Sequence, residues 1–147
     1  MLSERILVED IEAEFARWGQ EIAGADFERP LMALAPIVYR DFGKHFASAE
    51  GPDGAWAPRS RPYPWPILVK TGKLSYAAIV ENGAGNITRY RDGWAEFGLD
   101  VSVVNYAAYH EYGTSRMAAR PWCWVSSATV DEAAKLLLDS LYTEHVG

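Results

Sequence analysis

A proline-rich stretch in the first half of the chain constrains most strongly what this protein can fold into. Residues 49–66 contain five prolines and two glycines. Proline lacks a backbone N–H and fixes its φ angle, so no regular helix or strand is expected in this stretch. The 147 residues are therefore predicted to form one domain with a helical part at 1–48, the loop, a sheet and hairpin region at 67–126, and a C-terminal helix at 127–143.

Two helices are predicted before the loop, because apolar residues recur there at spacings of three and four. Ser3 is a candidate cap for the first helix, whose apolar stripe is Leu7, Ile11, Phe15, Trp18 and Ile22. The stripe of the second helix is Leu31, Leu34, Val38, Phe42 and Phe46. Pro36 lies within this second pattern, so the helix either kinks there or begins there with proline in its first turn.

A β-hairpin is predicted after the loop. Apolar residues alternate with others from Trp94 to Val103, and Asp92-Gly93 joins this run to a strand-like segment at 87–91. An Asp-Gly pair between two such runs is typical of a hairpin turn. A capping box at Thr129 and Glu132 predicts the start of the last helix. The fold class is therefore α+β, with the N-terminal helices and the C-terminal helix packed on a small antiparallel sheet.

Charge is distributed unevenly along a chain whose net charge is -6. Residues 1–55 carry eleven acidic and five basic side chains, and residues 92–147 carry eight acidic and three basic side chains. Residues 56–91 carry one acidic and six basic side chains, and this basic island consists of Arg59, Arg61, Lys70, Lys73, Arg89 and Arg91. The negative total argues against general nucleic-acid binding. We expect the basic island to contact an acidic flank of a neighbouring copy.

Recognisable catalytic motifs are missing from the sequence. It has no phosphate-binding glycine loop, no nucleophile elbow and no CxxC pair. His110-Glu111 lacks the second histidine of a zinc-protease helix, so His110 is interpreted as a hydrogen-bonded structural residue. Cys123 is the one cysteine and is interpreted as a buried thiol. We therefore expect no enzymatic activity, no cofactor and no metal.

The N-terminal residues do not resemble a secretion signal. They carry acidic residues and lack a basic segment followed by a long apolar run. No stretch reaches the length of a membrane span. We therefore expect synthesis in a cytoplasm and no membrane partner.

Three short motifs follow one another in the second half of the chain. In order, they consist of Thr71, Gly72 and Leu74, then Tyr106, Ala107, His110, Glu111 and Gly113, then Arg120 and Pro121. Together they resemble the bacteriophage virion-morphogenesis and tail-completion family, whose relatives include head–tail joining and neck proteins. The resemblance covers roughly residues 52–127. Trp122 stands where phenylalanine is usual, and Cys123 is not typical.

The resemblance implies a virion component without catalysis, incorporated as a ring at the head–tail junction late in tail assembly. It favours six subunits. The implied partners are further copies of the chain and the neighbouring neck, connector, tail-tube or terminator proteins, while DNA would pass through the lumen without specific binding. One alternative is a tail terminator that caps tube polymerisation. Alternatives from other classes are a small aromatic-rich binding module and an uncharacterised hydrolase.

The motif residues also have an interpretation that follows from their own chemistry. Gly72 is expected in a tight turn with positive φ, and Gly113 is expected to end a short helix at 106–112. Arg120 is expected to hold Glu111 in a bidentate ion pair. The motif is thus interpreted as a joint that defines the fold and not as an active site.

A candidate subunit interface combines the basic island with the aromatic residues of the loop. It consists of Trp56, Arg59, Arg61, Tyr63, Trp65, Arg89 and Arg91. The predicted receiving surface lies on the first helix and consists of Glu4, Glu9, Asp10, Glu12 and Glu14.

Overall fold

A computed structural model describes residues 2–7, 28–91 and 93–145 of the chain. These residues form helices together with two small antiparallel sheets, which confirms the predicted α+β fold class. In chain order the elements are β1 (Leu2–Leu7), α1 (Glu28–Met32), α2 (Ala35–Ser48), β2 (Glu50–Gly51), β3 (Gly54–Ala55), α3 (Lys73–Ile79), β4 (Asn86–Arg91), β5 (Trp94–Leu99), α4 (Ala107–Tyr112) and α5 (Ser127–His145).

The larger sheet has the strand order β1-β5-β4, so the hairpin strand β5 is central. Arg91 pairs with Trp94, which leaves Asp92-Gly93 as a two-residue connection and confirms the predicted hairpin. Gly93 has a φ of 95°, as a tight hairpin turn requires. The smaller sheet joins β2 to β3 inside the proline-rich stretch, so the expectation that this stretch has no regular element is wrong. The strands form because only Pro52 lies between Glu50 and Ala55, and two residues of each strand pair.

The N-terminal residues form a strand, and the prediction of a helix beginning near Ser3 is wrong. Ser3 lies opposite Gly98 and Leu7 lies opposite Trp94 in the antiparallel pairing of β1 with β5. The backbone N–H and C=O groups of the buried central strand β5 need hydrogen-bond partners on both sides. Pairing with β5 therefore decides the structure of residues 2–7, although the spacing of their apolar residues fits a helix. The remaining predicted helix residues, Ile11, Phe15, Trp18 and Ile22, lie outside the described part of the chain.

Strand β5 is shorter and more deeply buried than its alternating pattern indicates. It ends at Leu99 instead of Val103, because Asp100 accepts the N–H of Ser102 with its side chain at 2.8 Å and starts a turn. Glu96 and Phe97 point to opposite faces of the strand, yet they are 1% and 0% exposed. Both faces of the central strand are therefore covered.

The second predicted stripe is buried as expected, and it belongs to two helices. Its members, Leu31, Leu34, Val38, Phe42 and Phe46, are all at most 7% exposed. Helix α1 ends at Met32 and α2 begins at Ala35, with Pro36 in its first turn. The sequence left open whether the helix kinks at Pro36 or begins there, and the structure shows that it begins there. Helices α1 and α3 contact the β4–β5 hairpin, while α2 packs against α3 and α5.

Ser126 provides the cap of α5, so the predicted capping box at Thr129 and Glu132 is wrong. The Ser126 hydroxyl lies 3.3 Å from the backbone N of Thr129 and accepts its hydrogen. Asp41 of α2 in turn accepts the backbone N–H of Ser126 at 2.8 Å and its hydroxyl at 3.1 Å. Glu132 forms an ion pair with Arg40 instead. The helix start is thus fixed by a carboxylate from another helix.

We expect Ser126→Ala to lower the free energy of unfolding by about 1–2 kcal/mol, because it removes a helix cap. Ser127→Ala is the matched control, since Ser127 is exposed and its side chain has no hydrogen bond in the described structure. Urea denaturation followed by circular dichroism measures both variants. Equal stability of the two variants would contradict the capping role of Ser126.

Candidate functional site

Glu111 forms the centre of a joint between α4 and the segment before α5. Its carboxylate accepts the backbone N–H of Trp122 at 2.9 Å and that of Cys123 at 3.2 Å. Burial raises the pKa of the Glu111 carboxyl above its usual range, while the two N–H donors lower it. The side chain is 8% exposed, so this carboxyl holds the chain and does not face solvent.

Arg120 does not pair with Glu111, and the predicted bidentate pair is wrong. Its Nε donates to the carbonyl of Ala57 at 2.9 Å, and its Nη2 donates to the carbonyl of Pro58 at 3.1 Å. Its backbone N–H donates to the carbonyl of His110 at 2.6 Å. Arg120 therefore ties the proline-rich loop to α4, because the Glu111 oxygen is already engaged by backbone donors on the buried side.

Trp56 belongs to the core, so its prediction as a residue of the subunit interface is wrong. Its ring is 6% exposed and packs edge-on against Phe46 at a centroid distance of 6.0 Å. Its indole N–H donates to the carbonyl of Pro121 at 2.8 Å. A side chain that is enclosed in this way offers almost no area to a partner. Trp56 instead anchors the start of the loop to the third motif.

The two motif glycines have positive φ angles, as predicted for Gly72, and Gly113 ends the short helix as predicted. Gly72 precedes α3 with a φ of 74°, and Gly113 follows α4 with a φ of 74°. A Cβ atom on Gly113 would lie 2.7 Å from the backbone N of Ala119, so a side chain would clash there. Two further motif residues, Leu74 and Ala107, are buried in the core. These residues shape the backbone around the joint.

A cationic pocket of about 780 Å³ lies beside the joint. The basic side chains in its wall are Arg59, Lys70, Lys73, Arg116, Arg120 and His110. The other lining residues are Pro58, Ser60, Tyr63, Trp65, Ile67, Leu68, Thr71, Tyr106, Met117 and Ala118. No aspartate or glutamate lines it in the described part of the chain. The pocket thus brings together the loop and parts of all three motifs.

Two aromatic rings and two cations of the loop pack together at the pocket wall. The rings of Tyr63 and Trp65 stack with centroids 4.8 Å apart and planes 13° from parallel. The Arg59 guanidinium lies 5.9 Å from the Tyr63 ring, and the Lys70 ammonium lies 5.2 Å from the Trp65 ring. Arg59 also donates to the carbonyl of Trp65 at 2.5 Å. This part of the loop is therefore held by its own side chains.

His110 lines the pocket with a lowered pKa. Burial lowers its pKa below the usual range, and the positive charge of Arg120 lowers it further. The ring lies edge-on to Tyr106 at 5.7 Å. Its Nδ1 is buried without a hydrogen-bond partner among the described residues, so the expected hydrogen-bonded role is not seen at this atom.

The structure divides the basic island. Arg61, Arg89 and Arg91 do not line the cationic pocket, and the last two lie on β4. Arg89 lies 3.6 Å from the buried carboxylate of Glu96. Arg116 and Arg120 join the pocket from a part of the sequence that is acidic overall, which a count along the sequence does not reveal. Arg120 could be singled out from the sequence because it belongs to the third motif. No pattern in the sequence singled out Arg116.

Glu4 was predicted to lie on a solvated helix face that forms the receiving surface, and this prediction is wrong. It lies on β1 opposite Phe97, and its side chain is partly buried. Burial raises the pKa of its carboxyl, and the nearby Glu111 adds to the rise. The other predicted members of that surface, Glu9, Asp10, Glu12 and Glu14, lie outside the described residues.

The thiol of Cys123 is buried, as the sequence indicated, and is 8% exposed. Burial raises its pKa well above the usual range, and the carboxyls of Glu111 and Glu4 add to this rise. A reactive cysteine needs the opposite shift, because the thiolate is the nucleophile. Cys123 is thus arranged as a packing residue.

Comparisons of the chain with models of protein families, with curated proteins and with solved structures found no match. The family resemblance of the three motifs therefore stays a prediction. Within residues 2–7, 28–91 and 93–145, no helix has both the length and the apolar character that crossing a membrane requires. Over the same ranges, no three His, Cys, Asp or Glu side chains are grouped so that they could hold a metal ion.

Proposed function

We propose that this chain is a non-enzymatic structural subunit of a tailed-bacteriophage or prophage-derived particle. It is made in the bacterial host cytoplasm and forms a ring at the head–tail junction, where it completes the tail and joins it to the head. The observation that supports this proposal is the joint itself. Glu111 and Arg120 each bond to main-chain atoms of another segment, and the carbonyl of Pro121 accepts the indole N–H of Trp56. Polar groups engaged in this way stabilise a scaffold and are not presented to a substrate.

Exposed tyrosines next to the joint support contacts with partner proteins. Tyr109 and Tyr112 on α4 are 58% and 72% exposed, and Tyr76 on α3 is exposed as well. Tyrosine is enriched at protein interfaces, because it combines a large apolar ring with a polar tip. The partners are further copies of the chain and the adjoining neck, connector and tail-tube proteins. The net charge of -6 favours passage of DNA through the lumen without tight phosphate contacts.

Deletion of the gene from the phage or prophage that carries it tests this proposal. We expect electron microscopy to show filled heads separated from tails of normal length, with joining restored by the wild-type gene supplied in trans. A gene encoding Tyr109→Ser with Tyr112→Ser is expected to restore joining poorly, because the change removes exposed ring area without touching the core. Overlong tubes would assign the chain to tail termination instead. Normal particles would contradict both roles.

A further inference from the structure

We propose that the cationic pocket binds an acidic peptide segment of a second copy of this chain, namely residues 9–14. The inference rests on the proposed function, because it supplies the contact through which neighbouring ring subunits recognise each other. The pocket replaces the hairpin arginines as the basic side of the contact. The acidic segment, which the sequence predicted as the receiving surface, becomes the inserted element.

The positive charges of the pocket lack counter-charges. Five arginine and lysine side chains line it, and within the described residues none of them forms an ion pair. Arginines elsewhere differ, since Arg40 lies beside Glu132 and Arg89 lies beside Glu96. Like charges gathered around one cavity repel each other, and a bound anion relieves this repulsion. The pocket is therefore built to accept negative charge.

Part of this charge is already held in position. Arg59 and Arg120 are fixed by hydrogen bonds to backbone carbonyls, so little side-chain freedom is lost when an anion binds to their remaining donors. Lys73 and Arg116 are exposed, and their side chains make no hydrogen bond within the described residues. These two provide donors that can move toward the ligand. The pocket thus combines rigid and adjustable cations.

The aromatic residues favour a peptide over a nucleic acid. Single-stranded nucleic acids bind by stacking bases on open aromatic faces. Tyr63 and Trp65 stack on each other and a cation lies near each ring, so both rings already have partners, while Tyr63 stays 46% exposed. The wall also contains apolar side chains, among them Ile67, Leu68 and Met117. A ligand that combines carboxylates with apolar side chains suits this wall.

A segment with this chemistry is present in the chain itself. Residues 9–14 read Glu-Asp-Ile-Glu-Ala-Glu, with four carboxylates around one isoleucine. They lie outside the described residues, and their match to the pocket is one of charge and composition. Insertion of this segment into the pocket of the next copy uses two different surfaces per subunit. A head-to-tail contact of this kind forms a ring when the rotation between neighbouring copies closes.

A charge-swap experiment on the full chain tests the proposal. Sedimentation velocity at about 0.05 M salt, where charge interactions are weakly screened, measures self-association. We expect wild type to self-associate. Lys73→Glu with Arg116→Glu should weaken association by about tenfold or more, because two cations are lost and two glutamates then face the acidic segment. Glu12→Lys with Glu14→Lys should weaken it similarly.

The decisive sample is an equal mixture of the two double variants. In an alternating ring, the two new glutamates of one variant face the two new lysines of the other, and the remaining contacts pair a wild-type pocket with a wild-type segment, so association should return to near the wild-type level. Arg61→Glu with Arg91→Glu is the matched control, since it makes the same charge change outside the pocket and should alter association by less than about twofold.

Three outcomes would overturn the proposal. These are a monomeric wild type, a mixture that associates no better than either variant alone, and an equal loss of association in the control. A single-stranded DNA of twelve nucleotides is the competing probe. If it binds wild type and loses binding in the Lys73/Arg116 variant while self-association is unchanged, the pocket belongs to nucleic acid. None of these outcomes depends on particle assembly, so gene deletion still tests the structural role separately.

Discussion

Replacing Trp122 by alanine is expected to lower the free energy of unfolding by about 3–5 kcal/mol, because it removes a large side chain from a packed core. The Trp122 ring is 0% exposed and packs edge-on against Phe42 at 5.7 Å. It also stacks on Phe46 at 5.8 Å, so it joins α2 to the segment that carries the third motif. Urea denaturation with a common m value measures the loss.

Trp122→Phe is the matched variant, and we expect it to cost less than about 1.5 kcal/mol because most of the ring volume stays. The indole nitrogen of Trp122 is buried without a hydrogen-bond partner among the described residues. Phenylalanine therefore removes a buried polar atom while it keeps the aromatic contacts. Equal losses for the alanine and phenylalanine variants would show that ring packing does not stabilise this position.

Glu111→Ala is expected to destabilise the protein by about 3 kcal/mol, because it leaves two buried backbone N–H groups without an acceptor. Glu111→Gln keeps an acceptor oxygen at the same place and should lose less. Chemical denaturation of both variants gives the comparison. If the alanine variant is as stable as wild type, the two hydrogen bonds do not hold the joint.

The glutamine variant also gives a test that depends on pH. Because burial raises the pKa of Glu111, the folded protein holds a proton on this carboxyl over a pH range in which the unfolded chain has lost it. The contribution of this proton to stability is complete below the unfolded pKa of about 4.3 and is lost as pH rises through the folded pKa. The stability advantage of wild type over Glu111→Gln should therefore shrink as pH rises, and an advantage that grows would contradict this assignment.

Local signals in the sequence predicted those features that depend on one or two neighbouring residues. The hairpin was found from the Asp92-Gly93 pair, Gly72 was found because glycine tolerates positive φ, and Gly113 was found because glycine commonly ends a helix. The second apolar stripe was also found, because five residues repeat the helical period over four turns.

Features that depend on tertiary contacts were not predicted. Ser3 has the chemistry of a helix cap, but its backbone pairs with Gly98 across the sheet. The opposite charges of Glu111 and Arg120 indicated an ion pair, but the sequence does not show that one side chain points into the core and the other toward the loop. The cationic pocket was missed in part for the same reason. Arg116 reaches it from an acidic stretch of the sequence.

The bonds of the joint bear on how this chain can diverge over evolutionary time. Glu111 bonds to the amides of Trp122 and Cys123, and Arg120 bonds to the carbonyls of Ala57 and Pro58. Main-chain atoms are the same in nearly every amino acid, since only proline lacks an amide hydrogen. Substitutions at positions 57, 58 and 123 can therefore accumulate while these contacts persist. Homologous chains should preserve the carboxylate and the guanidinium while the residues at positions 57, 58 and 123 drift.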